Sequence, residues 1–450
     1  MLHLKKKRNM LKKNYKFILL PIILGFTPCI LFSQDSLKFS QIVNLALEQN
    51  YQVQIVKNEQ IKSSNNNSYG GAGFYPTLDF SGNQTWSTNN INQTYYTGEN
   101  KATNNAQSNV TAASLNLNWN IFDGFQMFAN KNKLGYLEQL GKANTKYYIE
   151  QTIADLAQAY FQYIKESFKL KLYFQSLDVS RNRLELEKTK FNLGNTSIFT
   201  VQQAELDFNN DSTLVIEQEI LLNQLKISIN KIINRQLDTD FLPSLDFDLK
   251  QVSSLEELKN STFKNNVQLN QQQIAQLISN ENVKIQESTF YPILSLFSSY
   301  NYSNQNSAAG LLKVNNSHGM SYGLNIRFNL FNADKDQTSL QNLKIDEKTS
   351  EIQTKQVKQN VESVLLQTYE QYQSYKKELV LQQHNVELAQ NTLEIAKKQY
   401  ELGTINGFDF RQVQLDFLTV GNKLNDLYFA IKSLEINLFR ISGEITKELQ

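Results

Sequence analysis

Residues 114–122 of the chain read Ser-Leu-Asn-Leu-Asn-Trp-Asn-Ile-Phe, and residues 322–330 read Tyr-Gly-Leu-Asn-Ile-Arg-Phe-Asn-Leu. In both stretches apolar and polar side chains alternate. This period of two predicts β-strands with one apolar face and one polar face. Two further stretches, 77–86 and 293–302, precede them and alternate less strictly. Strands of about ten residues have the length that crosses an outer membrane.

The predicted strand pairs belong to an internal repeat. The motif Phe74-Tyr75-Pro76 recurs 216 residues later as Phe290-Tyr291-Pro292, and Phe191-Asn192-Leu193-Gly194 recurs 209 residues later as Tyr400-Glu401-Leu402-Gly403. The first copy therefore holds seven extra residues between these motifs. We expect them within 77–119, where a loop should lie, and the asparagine-rich segment 83–109 reads as an exposed loop. The predicted organisation is a first repeat over 34–242, a linker over 243–253 and a second repeat over 254–450.

Two long segments that follow the strands have a helical pattern. Neither 142–193 nor 334–402 contains proline or glycine. We predict long helices over about 125–193 and 334–402, the second about 100 Å long at 1.5 Å per residue. Apolar residues recur every seven positions, as in a coiled-coil seam: Leu156, Tyr163, Leu170, Leu177, Leu184 and Phe191 in the first copy, and Leu365, Tyr372, Leu379, Val386, Leu393 and Tyr400 in the second.

The N-terminus has the pattern of a secretory signal. Seven basic residues within positions 1–16 precede a mostly apolar run over 17–32, so residues 1–33 are predicted to be a signal peptide. The single cysteine, Cys29, lies in this segment, where it is either a lipid attachment site or an apolar filler. The remaining residues include 38 basic and 43 acidic side chains, which do not indicate a nucleic-acid partner.

The sequence carries no motif of enzyme chemistry. Its three histidines, His3, His318 and His384, are far apart, and residues 34–450 contain no cysteine. We find no phosphate-binding glycine loop, no nucleophile elbow and no His/Cys cluster with metal-ligand spacing. The sequence therefore predicts a protein that is not an enzyme and has no cofactor or metal site.

Four strands are too few to close a β-barrel, because known barrels in the outer membrane begin at about eight strands. A membrane sheet must close to satisfy its edges. The chain is therefore predicted to oligomerise, with the long helices continuing the tube away from the membrane. The alternatives are an exported periplasmic coiled-coil scaffold or adaptor without a channel, and a general porin. Alternating strands with lipid-facing side chains disfavour the scaffold, and the long helices disfavour the porin.

The order and doubling of these motifs resemble the TolC family of outer membrane efflux proteins. The resemblance covers residues 36–444 and includes the motifs Trp119-Asn120-Ile121-Phe122-Asp123-Gly124 and Ile42-Val43-Asn44-Leu45-Ala46-Leu47-Glu48-Gln49-Asn50. It implies an α+β membrane protein in which two tandem repeats each give two transmembrane strands and long coiled-coil helices. It also implies a homotrimer, with a 12-stranded barrel in the outer membrane lipid and an α-helical tunnel through the periplasm.

The partners implied by the resemblance are a periplasmic adaptor, also called a membrane fusion protein, and an inner-membrane transporter of the RND, ABC or MFS class. The implied function is the passive exit duct of a tripartite efflux or type I secretion system. The residues leave open whether the cargo is a drug, a metal or a protein.

The turns that follow the long helices are the candidate functional residues. Residues 194–197 and 403–406 are predicted tips, and Gly194 and Gly403 are predicted to end the helices. Capping-box spacing predicts Thr200 and Asp409 as the N-caps of the next helices. The resemblance implies that Asp409 lines a closed periplasmic gate. It also implies adaptor contacts at Gly194, Asn195, Thr196, Ser197, Gly403, Thr404, Ile405 and Asn406.

Overall fold

The structure is a computed structural model that describes residues 36–244 and 248–449. The predicted signal peptide, 1–33, and Cys29 lie outside the described residues. The first part of the chain contains β1 (Ser36–Leu37), α1 (Phe39–Gln49), α2 (Tyr51–Asn66), α3 (Tyr69–Ala72), β2 (Thr77–Thr94), β3 (Asn100–Asp123), α4 (Gln126–Asn192) and α5 (Ile198–Ile232). The second part contains β4 (Leu242–Pro243), α6 (Leu255–Asn265), α7 (Val267–Glu287), β5 (Ile293–Ser307), β6 (Val314–Arg327), α8 (Lys335–Glu401), α9 (Gly407–Ile441) and α10 (Ile445–Leu449).

Four long strands form one antiparallel sheet in the order β2-β3-β5-β6. Because side chains alternate along each strand, the pairing register sorts them onto two faces. One face is apolar and includes Leu78, Phe80, Leu115, Leu117, Trp119, Leu294, Leu296, Tyr300, Tyr322, Leu324 and Ile326. The other face is mainly polar and includes Asp79, Ser81, Asn116, Asn118, Ser295, Ser299, Asn325 and Arg327. The apolar face is open, with Phe80 76% exposed and Ile326 71% exposed.

The strands are longer than the sequence pattern predicts, and the assignment of 83–109 to a loop is wrong. Strands β2 and β3 stay paired from Thr77↔Asn118 to Thr94↔Asn100, apart from one irregularity between Asn89 and Ile91. No proline or glycine interrupts residues 83–97. The polar side chains also bond across the ladder, as Thr94 Oγ1 does to Asn100 Oδ1 at 2.6 Å. Alternation of hydrophobicity disappears here because both faces are polar, although the backbone continues as a ladder.

The end of β6 also differs from the predicted 322–330. Strand β5 begins at Ile293, directly after Pro292, and Ile293 pairs with Arg327. Residues 328–330 therefore have no strand beside them, and β6 ends at Arg327. The chain then turns through Ala333 and Asp334, both at positive φ, into α8. The corresponding turn of the first repeat, Gly124 and Phe125, also has positive φ.

The helices form a single-layered wall. Helices α4 and α8 contain 67 residues each and are therefore about 100 Å long. Near the tips the neighbours run α5-α4-α9-α8, and near the sheet they run α2-α4-α7-α8. Helices α9 and α7 meet end to end, where Asn266 Nδ2 donates to the carbonyl of Ile441 at 2.9 Å. Among the described residues, no helix combines the length and the apolar character that a membrane-spanning helix requires.

The main apolar core lies midway along α4, where α1, α5, α9 and α10 pack around it. Leu156 and Tyr160 of α4 are almost completely buried there with Ile42 of α1 and Ile229 of α5. A second core joins α6, α8 and α9 around Leu365. Several positions of the predicted heptads, Leu156, Tyr163, Leu177 and Leu184 in α4 and Leu365, Tyr372 and Tyr400 in α8, are buried.

Candidate gate at the helix tips

The two tips have the same local design. Gly194 has φ of 77° after α4, and Gly403 has φ of 75° after α8, which is the left-handed conformation that glycine adopts without steric cost. The next amide turns back onto the helix, since Asn195 N donates to the carbonyl of Lys190 at 2.8 Å. Thr404 N donates to the carbonyl of Gln399 at 2.9 Å in the same way. Each turn thus satisfies carbonyls at the end of a long helix.

The predicted N-caps are wrong by one turn. Ser197 caps α5 by accepting from the amide of Thr200, and Asn406 caps α9 by accepting from the amides of Phe408 and Asp409. Ser197 and Asn406 have extended backbone, whereas Thr200 and Asp409 lie three residues later inside the helices. Thr200 and Asp409 therefore provide the amides that are capped rather than the side chains that cap them.

Asp409 lies in the exposed first turn of α9. Its Oδ2 accepts from Asn406 Nδ2 at 2.8 Å, which holds the carboxylate beside the helix N-terminus. A carboxylate in the first turn is favoured by the helix dipole. Since Asn406 is the cap, the charge of Asp409 can be removed without removing the cap.

The tip residues divide into an exposed group and an inward group. Gly194, Asn195, Ser197, Gly403, Thr404 and Asn406 are exposed. Thr196 is partly buried, because its hydroxyl donates to Glu187 Oε2 at 3.2 Å. Ile405 is also partly buried and packs against the cluster of Ala396, Tyr400 and Phe410. The structure thus leaves six of the eight predicted contact residues accessible.

A buried ionic cluster, which we call the tip clamp, joins both repeats above the tips. Arg411 of α9 forms a bidentate pair with Asp211 of α5, with Nη1–Oδ2 at 2.7 Å and Nη2–Oδ1 at 2.8 Å. The Asp211 side chain is fully buried. Burial opposes the charge on Arg411, but the hydrogen bonds and charge of Asp211 raise its pKa overall.

Helix α4 completes the tip clamp. Ser176 and Ser180 of α4 both donate to Asp211. Gln414 of α9 donates to the backbone carbonyl of Ser176 at 2.9 Å. A parallel pair joins Arg183 and Asp207 at 2.7 Å. The Asp211 carboxylate is therefore surrounded by donors, which is the arrangement a buried ion pair needs. In the parallel pair, Arg183 Nε has no hydrogen-bond partner.

A second polar cluster connects α4 to α8 directly beside the tips. Tyr400 donates to Glu187 Oε1 at 2.7 Å, and its ring stacks on Phe410 at 4.9 Å. Burial and the hydrogen bond to Glu187 raise the pKa of Tyr400 to about 12, so the phenol remains a donor. Burial raises the pKa of Glu187, but hydrogen bonds from Tyr400 and Lys190 outweigh it and lower the pKa overall.

The tips, the clamp, the two-repeat wall and the four-stranded sheet can be compared with known proteins. The model of the family described as outer membrane efflux protein matches residues 42–234 and 258–444. The chain belongs to this family. It is an outer membrane efflux channel, and its place is the outer membrane.

Solved structures of outer membrane proteins share the fold. The CmeC outer membrane channel of Campylobacter jejuni matches with a TM-score of 0.78 at 13% identity, covering 90% of this chain and 86% of that one. The outer membrane protein VceC of Vibrio cholerae gives 0.74 at 14% identity, covering 90% and 96%. The open state of the Neisseria gonorrhoeae MtrE outer membrane channel gives 0.72 at 13% identity, covering 92% and 90%. No curated protein matches the chain by sequence.

The sequence analysis does not predict the tip clamp of this efflux protein. The feature of the sequence that could have indicated the clamp is the spacing of polar residues along helices whose other positions follow an apolar heptad. Ser176 and Ser180 are four residues apart, as are Asp207 and Asp211, and each pair therefore shares one helix face. Within the described residues, no group of His, Cys, Asp and Glu side chains has the arrangement of a metal site.

Proposed function

We propose that three copies of this efflux protein close into one continuous duct, a 12-stranded barrel extended by a helical tunnel. We further propose that the duct is the passive exit of a tripartite efflux or type I secretion system. An inner-membrane pump of the RND, ABC or MFS class would deliver cargo through a periplasmic adaptor. The observation that carries this proposal is the wall itself, which has two unpartnered edges of complementary chemistry.

All elements on one edge belong to the first repeat, and all elements on the other belong to the second. Strand β2 and helices α2 and α5 form the first edge, while β6 and α8 form the second. Contacts between two different edges are heterologous, and such contacts generate closed rings when the rotation permits. Joining β6 of one copy to β2 of the next satisfies the backbone groups of both edge strands.

The helical edges carry apolar seams at matching heights. On α8 and its C-cap, Leu381, Leu388, Ile395 and Leu402 are spaced by seven residues and are 51–79% exposed. On α5, Phe199, Leu206 and Ile220 lie on the same heptad positions, with Thr213 at the position between the last two, and they are 53–71% exposed. Helix α8 ends at its tip, whereas α5 begins at its tip, so the two helices are antiparallel. Leu402 is therefore level with Phe199, and Ile395 is level with Leu206. These side chains are placed to form a coiled-coil seam between copies.

The internal repeat predicts the register between copies. Within one chain, Asn116 of β3 pairs with Ser299 of β5. Transferred through the repeat, this pair becomes Asn325 of one copy with Asn83 of the next. The pair Trp119↔Leu296 becomes Phe328, directly after the end of β6, with Phe80 on the apolar face of β2.

A disulfide test follows from this register. The double variant Asn325→Cys/Asn83→Cys is expected to form an oxidised trimer that resists denaturing electrophoresis, because paired strands bring Cβ atoms within disulfide reach. The control Ser321→Cys/Asn83→Cys moves one partner about 13 Å along the strand and should give no cross-link. A cross-link ladder longer than three, or preference for the control pair, would contradict the proposed ring.

The sheet also separates a duct from the alternative of a periplasmic scaffold. A water-soluble scaffold would expose the apolar face to water over all four strands. In a barrel that face meets lipid, and the Ser/Asn/Thr face lines a wet lumen. The exposed Phe80 and Ile326 therefore favour the duct.

We also propose that Asp409 forms an acidic ring at the periplasmic entrance and that the exposed tip residues contact the adaptor. Three carboxylates near a symmetry axis repel one another and attract cations.

Asp409→Asn is expected to weaken block of the single channel by divalent cations about tenfold while the cap by Asn406 keeps α9 intact. Planar-bilayer recording measures the block. Glu205→Gln, which neutralises an exposed acid on α5, is the matched control and should leave the block unchanged. Equal block in Asp409→Asn and the native protein would remove Asp409 from the gate.

A further inference from the structure

A groove of about 580 Å³ lies in the wall where α9 ends and α7 begins, between α4 and α8. All four helices belong to one copy of the chain, so the groove does not depend on closure of the ring. Its residues on α4 extend from Leu140 to Gln151, a rise of about 16 Å. Volume and length fall in the range of small-molecule sites.

One wall of the groove is apolar. Helix α8 contributes Val357, Val361 and Val364, and Leu140 of α4 lies at the far end. Val364 is 49% exposed, while Val361 is buried. This surface suits the hydrocarbon part of a ligand.

The opposite part of the groove is electropositive. Arg440 of α9 lines it and donates to the neutral side chain of Gln151 at 2.8 Å. Among residues 36–244 and 248–449, no carboxylate forms an ion pair with Arg440. The N-terminus of α7, from Asn266 to Gln268, lines the same part and has no acidic residue in its first turn. The Arg440 guanidinium favours an anion here, whereas the dipole at the N-terminus of α7 is offset by the C-terminus of α9, whose Ile441 lines the same part.

Glu150 is the one acid in the lining and is only 3% exposed. Its Oε1 has no hydrogen-bond partner, and Lys146 Nζ lies 3.6 Å away. Burial raises the pKa of Glu150 to about 7, against the lowering effect of Lys146 and Arg440. The charged groups around it are those two bases, because the α7 and α8 residues of the lining are uncharged. A protonated Glu150 adds a donor for a carboxylate or carbonyl oxygen.

We propose that this groove binds an amphipathic carboxylate, with its head group on Arg440 and its apolar body against the valines of α8. Binding of an anion beside Glu150 favours the protonated acid. The ligand therefore binds with uptake of a proton and more tightly at pH 6 than at pH 8.

Three matched probes test the chemistry: 4-phenylbutyrate, its neutral amide and 4-phenylbutylammonium. Saturation-transfer NMR on the full-length protein in lipid nanodiscs gives their affinities at pH 6 and pH 8. The carboxylate is expected to bind at least about tenfold more tightly than the other two at pH 6. Arg440→Gln should remove this preference, and Arg440→Lys should restore part of it. Glu150→Gln should retain binding and remove its pH dependence.

Arg440→Gln removes the preference for the carboxylate, whereas Glu150→Gln keeps binding and removes only its pH dependence; a general loss of structure would not separate these two effects. Unchanged melting of each variant confirms that the groove persists. Preference for the ammonium probe, with loss in Glu150→Gln, would overturn the proposal in favour of a cation site. Equal binding of all three probes, or no binding, would also overturn it. Trimer formation is measured separately by the Asn325–Asn83 cross-link, so failure here is distinguishable from failure of the duct.

Discussion

Asp211→Ala will loosen the periplasmic end of the protein, with a local loss of about 3–5 kcal/mol. The substitution leaves the Arg411 guanidinium in a buried site without its bidentate partner. It also removes the acceptor for Ser176 and Ser180. Because the tip clamp ties α4, α5 and α9 together, amide exchange should rise in all three helices near the clamp. Hydrogen exchange read by mass spectrometry measures this directly.

The reason for the large effect is the asymmetry of a buried pair. Removing Asp211 leaves Arg411 with only Asp207, whose Oδ1 lies 3.8 Å from Arg411 Nε, whereas replacing both partners by apolar residues is often neutral. The double variant Asp211→Leu/Arg411→Met should therefore exchange more slowly than either single variant.

The pair Lys423–Glu378 provides a matched surface control. Like the clamp, it is an ion pair of α9 with a neighbouring helix, here α8, with Lys423 Nζ 3.2 Å from Glu378 Oε1. Its two side chains, however, are 61% and 39% exposed. Glu378→Ala should change stability by less than about 1 kcal/mol, because exposed pairs contribute little. If Asp211→Ala and Glu378→Ala gave the same exchange, the tip clamp would not stabilise the hairpins.

The strands and long helices could be predicted from the sequence because each copy of the repeat has two clear hydrophobic periods, one of two residues in the strands and one of seven residues in the helices. Leu115, Leu117 and Trp119 alternate with asparagine because one sheet face is apolar. Leu156 and Tyr163 are seven residues apart because one helix face packs against neighbours. Prediction of a strand from hydrophobic alternation fails where neither face of the strand is apolar. This is the case in 83–109, where both faces of the β-ladder are polar.

Other features depend on details that periodicity does not contain. Ser197 and Thr200, like Asn406 and Asp409, are both capable of capping, and the choice depends on which residue keeps an extended backbone. The clamp requires Asp211 and Arg411 to meet although they are 200 residues apart. One sequence shows that each residue is charged, but only the packing of α5 beside α4 and α9 shows that they are partners.

Leu117→Arg is expected to abolish assembly in the outer membrane. Leu117 lies on the apolar face of the sheet, opposite Leu78 on β2 and Ser298 on β5. In the proposed barrel this face meets lipid, and an arginine near the midplane costs about 2–4 kcal/mol in each of three copies. The fraction of chain recovered from outer membranes as a native trimer measures the effect, and Ile326→Arg should reduce it in the same way.

The neighbouring substitution Asn116→Arg separates lipid exposure from general damage to β3. Asn116 points to the other face, where it lies opposite Asp79. An arginine there meets water and an opposite charge, so assembly should remain close to normal. The same charge is thus introduced one residue apart on the same strand, and only the face differs. If Leu117→Arg assembled as well as Asn116→Arg, the apolar face would not be the surface that meets the membrane.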